Sequence, residues 1–124
     1  MTNPFADQEK FMKACDQSTI KMNNSQYGMY LDLIREEVEE LELALIRNDR
    51  IEELDALIDI LVVTIGAIHS IGADGEGAWN EVMRTNFAKI DPETGKVRKR
   101  DDGKVLKPEG WKAPELEPYL IKNG

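Results

Sequence analysis

The sequence predicts an all-α protein, and three observations carry that reading. From about Gln26 to Arg47 nothing breaks a helix, and Leu31, Ile34, Val38, Leu41 and Leu45 recur at steps of three and four, the spacing of a buried helical stripe. A short polar break, Asn48-Asp49-Arg50, then separates this stretch from a second one running to about Ser70. A third stretch, Trp79 to about Lys89, carries Trp79, Val82, Met83 and Phe87 as its apolar side. The chain of 124 residues has the length of one domain, with a helical core at about 26–90 and a C-terminal extension at 91–124.

Each element has its own signals. Residues 1–25 read as a polar lead-in around a short helix, with Phe11, Met12 and Cys15 apolar, and Asn23-Asn24-Ser25 signals the next helix start. Asp49 and Glu52 have the spacing of a capping box, which satisfies the orphan amides of a helix start. In the helix that follows, Ile60 to Ile68 is apolar on nearly every side, so burial all round is expected. A chain this small needs a neighbouring subunit to provide that burial. Gly72 to Gly77 reads as a turn, with Gly72 ending the helix. Beyond Pro92 the chain is broken by Gly and Pro, and Asp102-Gly103 reads as a two-residue turn of a short hairpin. This tail is basic: Lys96, Arg98, Lys99, Arg100, Lys104 and Lys107 lie within twelve residues.

Composition excludes several function classes. Sixteen Lys and Arg against 24 Asp and Glu leave a net charge of −8, which argues against a generic partner of nucleic acid phosphates. One cysteine, Cys15, cannot form an internal disulfide and reads as a small core residue. The longest apolar run is far shorter than the roughly 20 residues that span a bilayer, and no charged-then-apolar segment opens the chain, so a cytoplasmic protein is expected. His69 is the only histidine, so neither a Ser-His-Asp triad nor a histidine-based zinc site can be built. At the end of an apolar helix its imidazole reads as structural. A Gly-rich phosphate loop followed by Lys-Ser or Lys-Thr is also missing.

The acids are concentrated. Ten of the 24 fall between Glu36 and Asp59, and by count alone they read as a solvated helix face. Helical phase points elsewhere. At about 100° per residue, Leu33, Glu37, Glu40 and Ala44 share a narrow arc beside the apolar stripe, and Glu52, Asp55 and Asp59 share another that continues into Val62 and Gly66. Glu53 lies a quarter turn away and reads as an ordinary surface acid. Folding the two helices back as an antiparallel hairpin sets Asp55 and Asp59 opposite Glu37 and Glu40, with Glu52 about a turn and a half off level. Carboxylates converging at a half-buried seam repel unless protonated or neutralised. A hard divalent cation is the economical neutraliser, since Mg²⁺ takes oxygen ligands and leaves positions for water and phosphate. Individual alternatives stand beside this reading: Glu52 as a helix cap only, Asp59 paired with a base, Glu36 as plain surface. Asn86 and Lys89 share a face near the end of the third helix, and the basic tail that follows either binds a small anion or compensates the acidic helices.

The pattern Glu36-Glu37-x-x-Glu40, followed across the short link by Glu52-x-x-Asp55, resembles the all-α nucleoside triphosphate pyrophosphohydrolase superfamily. That group includes MazG, the dimeric dUTPases and phosphoribosyl-ATP pyrophosphohydrolase. From Leu54 to Ala88 the chain is similar to the MazG-like or phosphoribosyl-ATP-pyrophosphohydrolase-like branch. It carries Asp-Ala-Leu-x-Asp-Ile-Leu-Val-Val-Thr-x-Gly, then Gly72-Ala73-Asp74, the pair Asn86 and Lys89, and Asp102 to Lys107 as Asp-Gly-Lys-Val-x-Lys. Thr85 stands where this branch often has Ser. The similarity runs from about Phe11 to Pro114.

The resemblance implies a MazG-like helical bundle whose four-helix core is completed by oligomerisation into a homodimer or homotetramer. It implies Mg²⁺, with Mn²⁺ as an alternative, held by Glu37, Glu40, Glu52 and Asp55; Asp59 in place of Glu52 is the other arrangement. Glu36 would be the base for the attacking water, and Asp59, Asn86, Lys89, Lys104 and Lys107 would bind substrate. The implied reaction converts a nucleoside or deoxynucleoside triphosphate to its monophosphate and pyrophosphate. The rival readings are phosphoribosyl-ATP or dUTP/dUDP as substrate, and a non-enzymatic acidic oligomerisation module.

Overall fold

The computed structural model describes residues 3–122, and among them it is all-helical. The helices are α1 (Pro4–Ala14), α2 (Asn24–Ile46), α3 (Arg50–Ser70) and α4 (Gly75–Phe87), with a 3-10 turn at Glu117–Tyr119. The chain forms two compact units, one of Met1–Gly75 with Tyr119–Gly124 and one of Glu76–Pro118. No single helix among the described residues is long and apolar enough to cross a membrane.

In the first unit, three helix starts are set by side chains that accept otherwise orphaned amides. Asn3 accepts from Ala6 N at 2.9 Å, Asn23 from Gln26 N at 3.1 Å, and Asp49 from Glu52 N at 3.1 Å. Asp49's own amide turns back to Ala44 O at 3.0 Å, closing the link that reverses the chain between α2 and α3. At the far end α3 stops where Gly72 takes φ +76°, and a Cβ there would lie 2.7 Å from the Lys21 Cα. Only glycine allows both the left-handed turn and that approach.

The α2–α3 seam is closed by small residues. A Cβ on Gly66 would overlap the Tyr30 ring, and Ala44 and Ala56 are both buried. Met12 of α1 joins Tyr30, Val63 and Ala67 in the core, with Tyr27, Leu33 and Ile34 packed against them. This places the buried side of α2 a fraction of a turn from the stripe that apolar spacing suggests. Val38 and Leu45 are 39% and 52% exposed, because the Tyr30–Gly66 contact rotates the line through Leu33 and Glu37 toward α3.

In the single chain Leu61 and Val62 of α3 are exposed. Three further readings are corrected. Cys15 caps the end of α1 and is exposed, not core. Glu53 is half-buried beside Arg50 at 3.8 Å. Helix α4 begins at Gly75, before Trp79, and Gly75 allows a close approach: a Cβ there would lie 2.8 Å from the Phe5 ring and 3.0 Å from Ile68. His69 is structural, buried with Nε2 2.8 Å from Phe5 O and Nδ1 3.3 Å from Lys122 Nζ. Lys122 also donates to Glu9 at 2.6 Å and to Thr19 O at 2.8 Å, so the end of the described chain is tied to α1 and α3.

In the second unit hydrogen bonds hold the irregular tail to α4. Trp111 donates from Nε1 to Thr85 O at 2.7 Å, and Glu115 N donates to Glu81 at 2.8 Å. Arg84, together with that Glu115 amide, pulls the Glu81 carboxyl down to about 2. Thr85 is buried and its hydroxyl donates to Val82 O at 2.7 Å, a bond that Ser would equally make. Around Asp102, Arg100 N bonds Lys104 O and Gly103 N bonds Arg100 O. The turn therefore spans three residues rather than two, with Gly103 at φ +88°.

Candidate metal centre

Helical spacing and the short link together build the candidate site in the first unit. Glu37 and Glu40 are three apart on α2 and so share a side; the antiparallel return brings α3 past them. One carboxylate oxygen from each of Glu37, Glu40 and Asp59 lies within 4.8 Å of the others. Glu37 and Asp59 are half-buried and Glu40 is exposed, so the cluster has a dry end and an open end.

Its electrostatics are adverse. The Glu37 Oε2 atom is buried with no hydrogen-bond partner. Burial first, then the close approach and charge of the Glu40 carboxylate, and then Asp59 and Asp55, push the Glu37 carboxyl up to about 7. Asp59 is also raised, by burial and then by Asp55 and Glu40. Each group titrates high because its neighbours are anions in a poorly solvated place. An orphaned carboxylate oxygen among other carboxylates is a donor set suited to a hard divalent cation.

The expected site residues fall into three groups. Glu37, Glu40 and Asp59 are brought together, and Asp55 is close enough for its charge to act on both Glu37 and Asp59. Glu52 lines, with Glu40, Leu43, Ala44 and Arg47, a cavity of about 290 Å³, so that Glu40 belongs both to it and to the cluster. Glu36 is exposed on the preceding position of α2. In the second unit Lys89 Nζ donates to Asn86 Oδ1 at 3.2 Å. The Lys89 and Lys107 ammoniums lie 5.0 and 4.9 Å from the centre of the Trp111 ring, while Lys104 donates its backbone amide to Asp102 at 3.0 Å.

Two neighbours of these side chains are not singled out by the sequence. Arg47 stands at a helix end, and its place at the cavity with Glu40 and Glu52 depends on the fold. Trp111 stands in a Pro-Gly-rich tail where no helical phase assigns it a face; the signal available was an isolated Trp amid lysines.

Over residues 8–86 the chain matches the family described as phosphoribosyl-ATP pyrophosphohydrolase. The chain belongs to that family. Membership in the phosphoribosyl-ATP pyrophosphohydrolase family carries the MazG-like pyrophosphohydrolase fold and, in general terms, a pyrophosphohydrolase activity. The matched segment contains the whole acidic seam and Asn86, and it ends before Lys89, Lys104 and Lys107. A comparison with curated proteins finds no match.

Proposed function

We propose that this protein is a Mg²⁺-dependent hydrolase that splits a nucleoside or deoxynucleoside triphosphate into its monophosphate and pyrophosphate. The observation that carries the proposal is the buried, unpartnered Glu37 oxygen inside a three-carboxylate cluster. Glu37, Glu40 and Asp59 would hold the ion, with Asp55 beside them and Glu52 as the further acid of the set. When bound, Mg²⁺ or Mn²⁺ would neutralise these acids and the triphosphate, and would make the attacking water more acidic.

The chain's own side chains supply the rest. Glu36, exposed and next to Glu37 in the sequence, would accept the proton as the water oxygen bonds to the α-phosphorus and the α–β bridging P–O bond breaks. The electron pair of that bond leaves with pyrophosphate. Asn86, Lys89, Lys104 and Lys107 are the proposed donors to the nucleotide. The exposed apolar face of α3, including Ile51, Leu54 and Leu61 at 81%, 62% and 57%, is proposed to pack on a second copy as a homodimer or homotetramer in the cytoplasm.

Pyrophosphate release from a panel of nucleoside triphosphates, run with Mg²⁺ in ¹⁸O-labelled water, tests this reading. The label is expected in the monophosphate, and Glu40→Gln is expected to lower kcat at least about a hundredfold. Turnover confined to phosphoribosyl-ATP or dUDP would move the protein to another substrate within the superfamily. No turnover of any of these compounds would leave the acidic oligomerisation module.

A further inference from the structure

The tail of the second unit contains a cationic arrangement centred on Trp111. Lys89, just beyond α4, and Lys107, in the tail, place their ammoniums 5.0 and 4.9 Å from the same indole ring. Among the described residues neither forms an ion pair; Lys89 has the neutral Asn86 Oδ1 at 3.2 Å. The ring is itself fixed, because its Nε1–H donates to the Thr85 carbonyl at 2.7 Å. Lys89 also lines a cavity of about 350 Å³ with Arg98 and with the acids Asp91 and Glu109. Two like charges would normally spread apart in water. A π-face attracts a cation without neutralising it, so it can gather two ammoniums and leave both able to bind an anion.

We infer that Trp111 is a positioning residue, whose ring holds Lys89 and Lys107 as a pair that receives the phosphate groups of the substrate. The inference rests on the proposed function for the identity of the anion, and it adds a residue outside the family match and a reason for the tail's attachment to α4. When phosphate oxygens take the ammoniums, the ring loses its cations, so indole emission becomes a direct reporter of occupancy.

Trp79→Phe leaves Trp111 as the sole tryptophan. In that background, titration with inorganic pyrophosphate is expected to give a saturable change in emission, lost in Lys89→Met with Lys107→Met. In steady-state assays of the full chain, Trp111→Leu is expected to raise KM about fivefold with kcat little changed. Trp111→Phe keeps the π-face and should restore most of that KM. Adding Lys89→Met to Trp111→Leu should do less harm than the two separate effects combined. An unchanged KM in Trp111→Leu with normal wild-type turnover would overturn the inference and leave the proposed function standing. A lysine-dependent emission change without triphosphate turnover would do the reverse. Neither signal would overturn both.

Discussion

Glu37 carries the sharpest conflict at the scale of single residues, and its titration follows from it. Its ordinary value of 4.5 rises to about 7 in the folded chain, so the native state holds a proton that the unfolded chain has released. A raised carboxyl contributes stability that is whole below about pH 4.5 and is lost as pH rises through about 7. The metal-free protein's Tm should therefore fall between about pH 5 and 8 more steeply than that of Glu37→Gln. Parallel curves in a thermal melt would contradict this. Mg²⁺ competes with the same proton, so its stabilisation of the wild type should be larger at the upper end of that range, and should vanish in Glu37→Gln. The variant is thus expected to be more stable than the metal-free wild type at high pH while losing activity, the pattern of a residue kept for chemistry rather than for folding.

Helices are held in register by caps and by close approach, and each can be tested separately. Asp49→Ala removes the acceptor for Glu52 N and should cost about 1 kcal/mol in denaturant unfolding. Gly66→Ala drives a methyl into the Tyr30 ring and should cost about 2 to 3 kcal/mol; a neutral result would mean that the two helices are not packed this closely. Much of this scale was legible beforehand. The caps at Asn23 and Asp49 and the stop at Gly72 are local chemistry, so the sequence displays them directly. The facing of Asp59 toward Glu37 and Glu40 followed from helical phase and a short link. What stayed hidden depends on partners remote in sequence. The rotation of α2 comes from Tyr30 meeting Gly66, the need for glycine at position 75 from Phe5, and the nearness of the Lys89 ammonium to an indole ring from Trp111 in the tail. Apolar spacing records which residues dislike water, not which of them found a neighbour, and so Val38 and Leu45 read as buried.

For the whole molecule, the central question is whether the two families of contact, apolar and acidic, serve one enzyme. The apolar residues left on α3 predict self-association: Leu54→Glu with Leu61→Glu should reduce the mass in multi-angle light scattering to that of one chain, and a single-chain mass already in the wild type would remove the oligomer from the account. The acidic seam makes the more exposed commitment. Calorimetric titration of Mn²⁺ into the metal-free protein tests it most directly. Saturable binding is expected, weakened at least about tenfold in Glu40→Gln and in Asp59→Asn while their circular dichroism is unchanged. Equal affinity in all three proteins, or no binding by the wild type at millimolar Mn²⁺, would contradict the account.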